Sequence, residues 1–172
     1  MKRIFFGLVV AIIGTGAFAM GAAASDGCSK RSSPDVAVEA CTRQLAGQPD
    51  SAVAIEAHLV RGAAYARKGM NEEAAGDFSS VLKVAPANQD ALLGRGEVYL
   101  AQRSFKLAAD DFTALIALKP AHVTALIGLG YSYLARDQAE DAVATFSKAL
   151  EHDPRNGVAL NNRGVAYKKL HN

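Results

Sequence analysis

The sequence predicts an all-α protein, a stack of antiparallel helix pairs, on three observations. A glycine followed three residues later by a tyrosine recurs every 34 residues, at Gly62, Gly96, Gly130 and Gly164, in "RGAAY", "RGEVY", "LGYSY" and "RGVAY". Between the copies, Ala74, Ala108 and Ala142, then Phe78, Phe112 and Phe146, then Pro86, Pro120 and Pro154 keep the same interval. Alanine, leucine and valine dominate a chain that is 50% hydrophobic, with no tryptophan and only 5 prolines. A fixed period of this length marks a repeated supersecondary unit. At 172 residues the chain suits one domain with a sizeable core.

Residues 1–24 read as an export signal. Lys2 and Arg3 precede the apolar run "IFFGLVVAII", and the small residues of "GTGAFAMGAAASD" offer cleavage after Ala24. Such a leader implies a periplasmic or secreted protein. Two alternatives stay open. The uncharged stretch Ile4–Ser25 is long enough to span a bilayer of roughly 30 Å as an uncleaved anchor, and Cys28 could carry lipid. The formal charge is +2, and removal of Lys2 and Arg3 leaves a neutral chain with no electrostatic footprint for nucleic acid.

Residues 25–50 follow as a leader and one helix. "DVAVEACTRQLAGQPD" reads as the second helix of a degenerate unit, with Ala37, Cys41 and Pro49 in the repeat positions. Cys28 and Cys41 are the only cysteines. In an oxidising compartment they suggest one disulfide, which would stabilise by roughly 3 kcal/mol in the chain-entropy model. The other reading makes Cys41 a small core residue.

The domain proper spans 52–170, with three full units at about 55–88, 89–122 and 123–156 and a capping helix at 157–170. In the second unit Leu92, Gly96, Tyr99 and Leu100 share one helical face, as do Leu107, Ala108, Phe112, Leu115 and Ile116. Short polar turns, at Lys68-Gly69, Gln102–Ser104 and Arg136-Asp137, join the two helices of each unit. Each second helix ends at a proline, whose ring cannot continue the hydrogen-bond ladder. Asn88 and Asn156 are expected to cap the helices that follow. A mid-helix glycine costs about 0.5–1 kcal/mol against alanine. Its recurrence therefore implies close helix approach, with Ala74, Ala108 and Ala142 as the facing small residues and tyrosine and phenylalanine as filler.

The set Gly62/Tyr65/Ala74/Phe78/Pro86, repeated at Gly96/Tyr99/Ala108/Phe112/Pro120 and Gly130/Tyr133/Ala142/Phe146/Pro154, resembles the tetratricopeptide repeat family. Its tryptophan position holds His58, Leu92, Leu126 and Leu160, and His58 is the unusual substitute. The resemblance implies a right-handed superhelix whose first helices line a concave groove for a peptide or protein. Members that grip a C-terminal carboxylate place lysine, asparagine and arginine where this chain has Leu59, Ala63, Gly94, Thr124 and Gly128, so that clamp is absent.

The period also assigns groove rows. Leu59, Leu93, Ile127 and Asn161 form one; Ala63, Glu97, Tyr131 and Val165 the next; Arg67 borders them, and Glu56, Asp90 and Glu97 add acid on one side. The candidate binding residues are thus Leu59, Ala63, Arg67, Asp90, Leu93, Glu97, Ile127, Tyr131 and Asn161. Ala66, Leu100 and Leu134 read as half core. Aromatic and aliphatic anchors suit a partner with apolar side chains and a basic residue near Glu97.

No catalytic pattern accompanies the groove. His58, His122, His152 and His171 lack metal spacing. Asp110-Asp111 and Glu72-Glu73 point in different directions on helices and read as solvated, and neither a nucleophile elbow nor a phosphate loop is present. The expectation is a non-enzyme without cofactor, metal, small-molecule substrate or nucleic acid, meeting the membrane only through an uncleaved leader. The alternative function is a self-assembling or accessory subunit of an envelope complex.

Overall fold

The structure, a computed structural model, describes residues 27–48 and 50–171. The expected signal segment 1–24 with its expected cleavage point, and Pro49, lie outside them. Eight helices follow in order among the described residues: α1 Pro34–Ala46, α2 Ser51–Arg67, α3 Asn71–Val84, α4 Gln89–Ala101, α5 Phe105–Leu118, α6 Val123–Ala135, α7 Ala139–His152 and α8 Gly157–Leu170. Each packs on its sequence neighbours, giving paired antiparallel helices in a solenoid. The first helices α2, α4, α6 and α8 also touch in series, while α3, α5 and α7 do not touch one another. The inner wall is therefore made of first helices.

Local chemistry sets the helix starts. Asp50 accepts from the amides of Ala52 and Val53 to cap α2. Asn88, His122 and Asn156, one period apart, accept from the amides of Ala91, Ala125 and Ala159. His122 thus does the work of the two asparagines through Nδ1. The turn inside each pair requires one left-handed residue, filled by Gly69, Arg103 and Asp137 at φ of 74°, 59° and 63°.

The glycines face a different residue from the one anticipated. A Cβ on Gly62, Gly96 or Gly130 would meet the ring of Phe78, Phe112 or Phe146 at 3.2, 2.8 and 2.7 Å, so the partner is the phenylalanine, not the alanine. A second glycine row completes the joint. A Cβ on Gly94 or Gly128 would lie 2.5 Å from the Phe78 or Phe112 ring of the preceding unit. Phe78 and Phe112 therefore sit between two glycine notches, one from their own unit and one from the next. At the N-terminal joint both sizes reverse: Cys41 takes the ring position and Val60 the glycine position, and both are buried in one cluster. Cys28 and Cys41 are bonded, which ties the segment before α1 to that helix.

A second periodic device is ionic. Asp111, which the sequence reading placed on a solvated face, is only 5% exposed. Arg95 grips it with two hydrogen bonds of 2.7 and 2.8 Å and reaches back 3.0 Å to Ser79 of the preceding unit. Arg61 does the same to Asp77 and Thr42, and His58 Nδ1 lies 2.8 Å from the same Asp77 carboxylate. That contact accounts for a histidine at the tryptophan position. Hydrogen bonding to these aspartates raises both arginine pKa values against the opposing effect of burial. The third unit replaces the pair by Leu129 and Thr145, both buried.

Removing one member of a buried pair strands a charge, whereas replacing both by apolar or neutral groups is often close to neutral. Asp111→Thr alone is expected to lower stability by about 3 kcal/mol. Adding Arg95→Leu, which copies the third unit, should restore most of the loss in urea denaturation. Two additive losses would contradict the coupling.

Candidate functional site

The inner wall carries a cavity of about 570 Å³ between α2 and α4. Leu59, Phe78, Leu93 and Val98 line it together with the small residues Ala63, Ala66, Gly94 and Ala101. Small side chains on the groove row, with Phe78 drawn down into its glycine notches, leave this space open. Lys30, Arg67, Asp90 and Glu97 stand at its mouth. Lys30 comes from the segment tied down through Cys28 and lies 3.3 Å from Asp90. Both groups are largely exposed, so the pair adds little stability.

The nine residues assigned to the groove from the period separate into two sets. Leu59, Ala63, Arg67, Asp90, Leu93 and Glu97 line the cavity, whereas Ile127, Tyr131 and Asn161 do not. Leu59 is 6% exposed and packs in the Phe78 cluster, so only its edge reaches the space. Ile127 is half-buried between the two C-terminal clusters. Tyr131 is 44% exposed and meets Phe105 edge-on at 6.2 Å, which steadies its ring along the inner wall. Asn161 is exposed on α8. Lys30 escaped the sequence reading because it lies outside the repeats and no periodic signal reports it. Phe78 entered as core filler, and it also lines the cavity.

Glu97 carries a perturbed carboxyl group. The protein crowding it at the mouth raises its pKa above the ordinary glutamate value, and nearby His122 lowers it by a smaller amount. None of the described ion pairs includes Glu97. Among the described residues no group of three His, Cys, Asp or Glu could hold a metal ion, and no helix is long and apolar enough to cross a membrane. What the site offers is shape, apolar surface and one carboxylate without a cation.

A folded-state pKa above the unfolded one means that ionising Glu97 disfavours the fold. The penalty is absent below the ordinary glutamate pKa and develops as pH rises through the raised folded value. Glu97→Gln should therefore raise Tm at neutral pH by about 1 °C and change nothing in acid. A Tm difference of the same size at both pH values would contradict this assignment.

A family model described as tetratricopeptide repeat matches residues 59–123, 93–157 and 127–168. No curated protein matches the chain. Solved structures match its fold. The MamA protein is 21% identical, with a TM-score of 0.75 over 80% of this chain and 74% of that one. The first repeat domain of Spaghetti (RPAP3), bound to the HSP90 peptide SRMEEVD, is 22% identical, with a TM-score of 0.67 over 69% and 94% of the two chains. A tetratricopeptide repeat protein from Parabacteroides merdae is 22% identical, with a TM-score of 0.67 over 80% and 53%. Proteins of this fold generally serve as non-catalytic scaffolds that bind peptides or proteins in the concave groove. With its paired helices, its 34-residue period and matches that begin at successive units, this chain belongs to the tetratricopeptide repeat family.

Proposed function

We propose that this chain is a non-catalytic binding module of the bacterial envelope. Its α2/α4 cavity would take an apolar side chain of a peptide that also presents a basic residue to Glu97. The carrying observation is the cavity itself, with Leu93 in its lining and an unpaired, crowded carboxylate at its mouth. Burying an aliphatic or aromatic side chain there supplies affinity, and a lysine or arginine beside Glu97 relieves the charge. Tyr131 and Ile127 extend the same wall and would contact the peptide beyond the cavity.

Envelope placement draws support from the basic-apolar leader of residues 1–24 and from the Cys28–Cys41 bond, since disulfides persist in oxidising compartments. The Spaghetti (RPAP3) domain holds a peptide ending in acidic residues. This groove has Leu59 and Ala63 where the carboxylate-gripping relatives place polar and basic groups, and Glu97 reverses the charge preference.

A panel of extended peptides with one apolar anchor, followed by lysine or by glutamate, tests the reading by fluorescence anisotropy. Lysine peptides should bind better, and more so as pH rises through the Glu97 titration. Leu93→Glu should weaken them about tenfold or more, and Glu97→Gln should remove about fivefold of the lysine preference. Binding indifferent to both substitutions would refute the assignment.

A further inference from the structure

α8 is a first helix with no second helix over it among the described residues. The row that contains Leu92, Leu126 and Leu160 shows the difference: the first two are 4% and 2% exposed, Leu160 is 45%. Tyr167 is 45% exposed, whereas Tyr65, Tyr99 and Tyr133 are half-buried. A Cβ on Gly164 would meet nothing within 4 Å. Arg163 reaches back 3.3 Å to Ser147, as Arg95 reaches Ser79, yet among the described residues the carboxylate that Arg95 clasps on its second helix has no counterpart. Leu160, Arg163, Gly164 and Tyr167 therefore stand as half of a joint that is closed elsewhere in the molecule.

The closed joints define the missing half. In α3 Asp77 and Phe78 meet this face, with buried Ala74 one turn before them, and in α5 Asp111 and Phe112 do, with buried Ala108. Both follow the pattern Ala-x-x-Asp-Phe. The charge agrees, since α8 carries Arg163 and Lys168 and no carboxylate, while Lys169 is paired with Asp137 of the preceding unit. Two copies meeting through α8 would oppose like charges. The unpaired helix at the other end, α1, is no substitute, because Ala40 and Cys41 occupy the aspartate and phenylalanine positions and are already buried.

We propose that the open face of α8 is a docking site for an acidic amphipathic helix carrying Ala-x-x-Asp-Phe, presented by another protein. The aspartate pairs with Arg163, the phenylalanine ring lies over Gly164, and the helix covers Leu160 and Tyr167. This is recognition of an amphipathic helix by an apolar face, on a surface separate from the α2/α4 cavity.

The probe is a fluorescent synthetic peptide of the α3 sequence, NEEAAGDFSSVLKV, added to the intact protein and followed by anisotropy. It should bind the wild type. Replacing the peptide's aspartate by asparagine, or Arg163→Ala in the protein, should each weaken binding about tenfold. Gly164→Leu should block it, and Leu93→Glu should leave it unchanged. Because Gly164 faces open space, Gly164→Leu should fold, as a dichroism melt will show; Tyr167→Lys is the second blocking variant. Absent binding, equal binding to Gly164→Leu, or loss with Leu93→Glu would overturn the proposal. So would a dimer in light scattering that Gly164→Leu dissociates, because the face would then serve a second copy.

Discussion

One aromatic ring seated between two glycines joins the first full unit to the second and the second to the third, and the geometry of the array depends on that joint. Phe78 lies against Gly62 and Gly94, and Phe112 against Gly96 and Gly128. A ring that enters two notches fixes the distance within a helix pair and the offset between pairs at once. Interiors are close-packed, so a single methyl group at a notch must displace the ring or spread the helices. The N-terminal joint keeps the same summed bulk with the roles exchanged, Cys41 for the ring and Val60 for the notch. The arginine–aspartate pairs add direction rather than bulk, since each arginine reaches the second helix of its own unit and that of the unit before.

The binding wall follows from this joint. With Phe78 drawn toward α4, the groove side of α2 and α4 is left with Ala63, Ala66, Gly94 and Ala101, and a cavity opens above the ring. The α6 portion of the same wall carries Tyr131 and Leu134 where α2 has Ala63 and Ala66, and none of its residues lines that cavity. Architecture and candidate site are thus two consequences of one pattern of small and large residues.

Much of this was legible in the sequence. The interval of 34 residues located the helix pairs, their turns and the asparagine caps. The first-helix rows pointed to the inner wall. The glycine's partner is not legible in the spacing, because Ala74 and Phe78 lie on the same helical face and the period does not say which meets Gly62. Asp111 looks solvated in the sequence because its partner Arg95 is 16 residues distant and each resembles an ordinary surface charge. The signal was nonetheless present: Arg61, Arg95 and Arg163, and Asp77 and Asp111, keep the period, interrupted by Leu129 and Thr145. Periodicity also treats all rows alike, so it does not separate the cavity at α2/α4 from the rest of the wall at α6, nor bring Lys30 beside it.

The most direct measurement is a double-mutant cycle in urea between Gly128→Ala and Phe112→Leu. At an open mid-helix position, glycine to alanine stabilises by about 0.5–1 kcal/mol. A ring seated against Gly128 reverses the sign: Gly128→Ala should cost about 1–3 kcal/mol, and with Phe112→Leu the two losses should fall short of additivity by about 1 kcal/mol or more. A stabilising Gly128→Ala, or strict additivity, would show that the ring and the notch do not hold the units together.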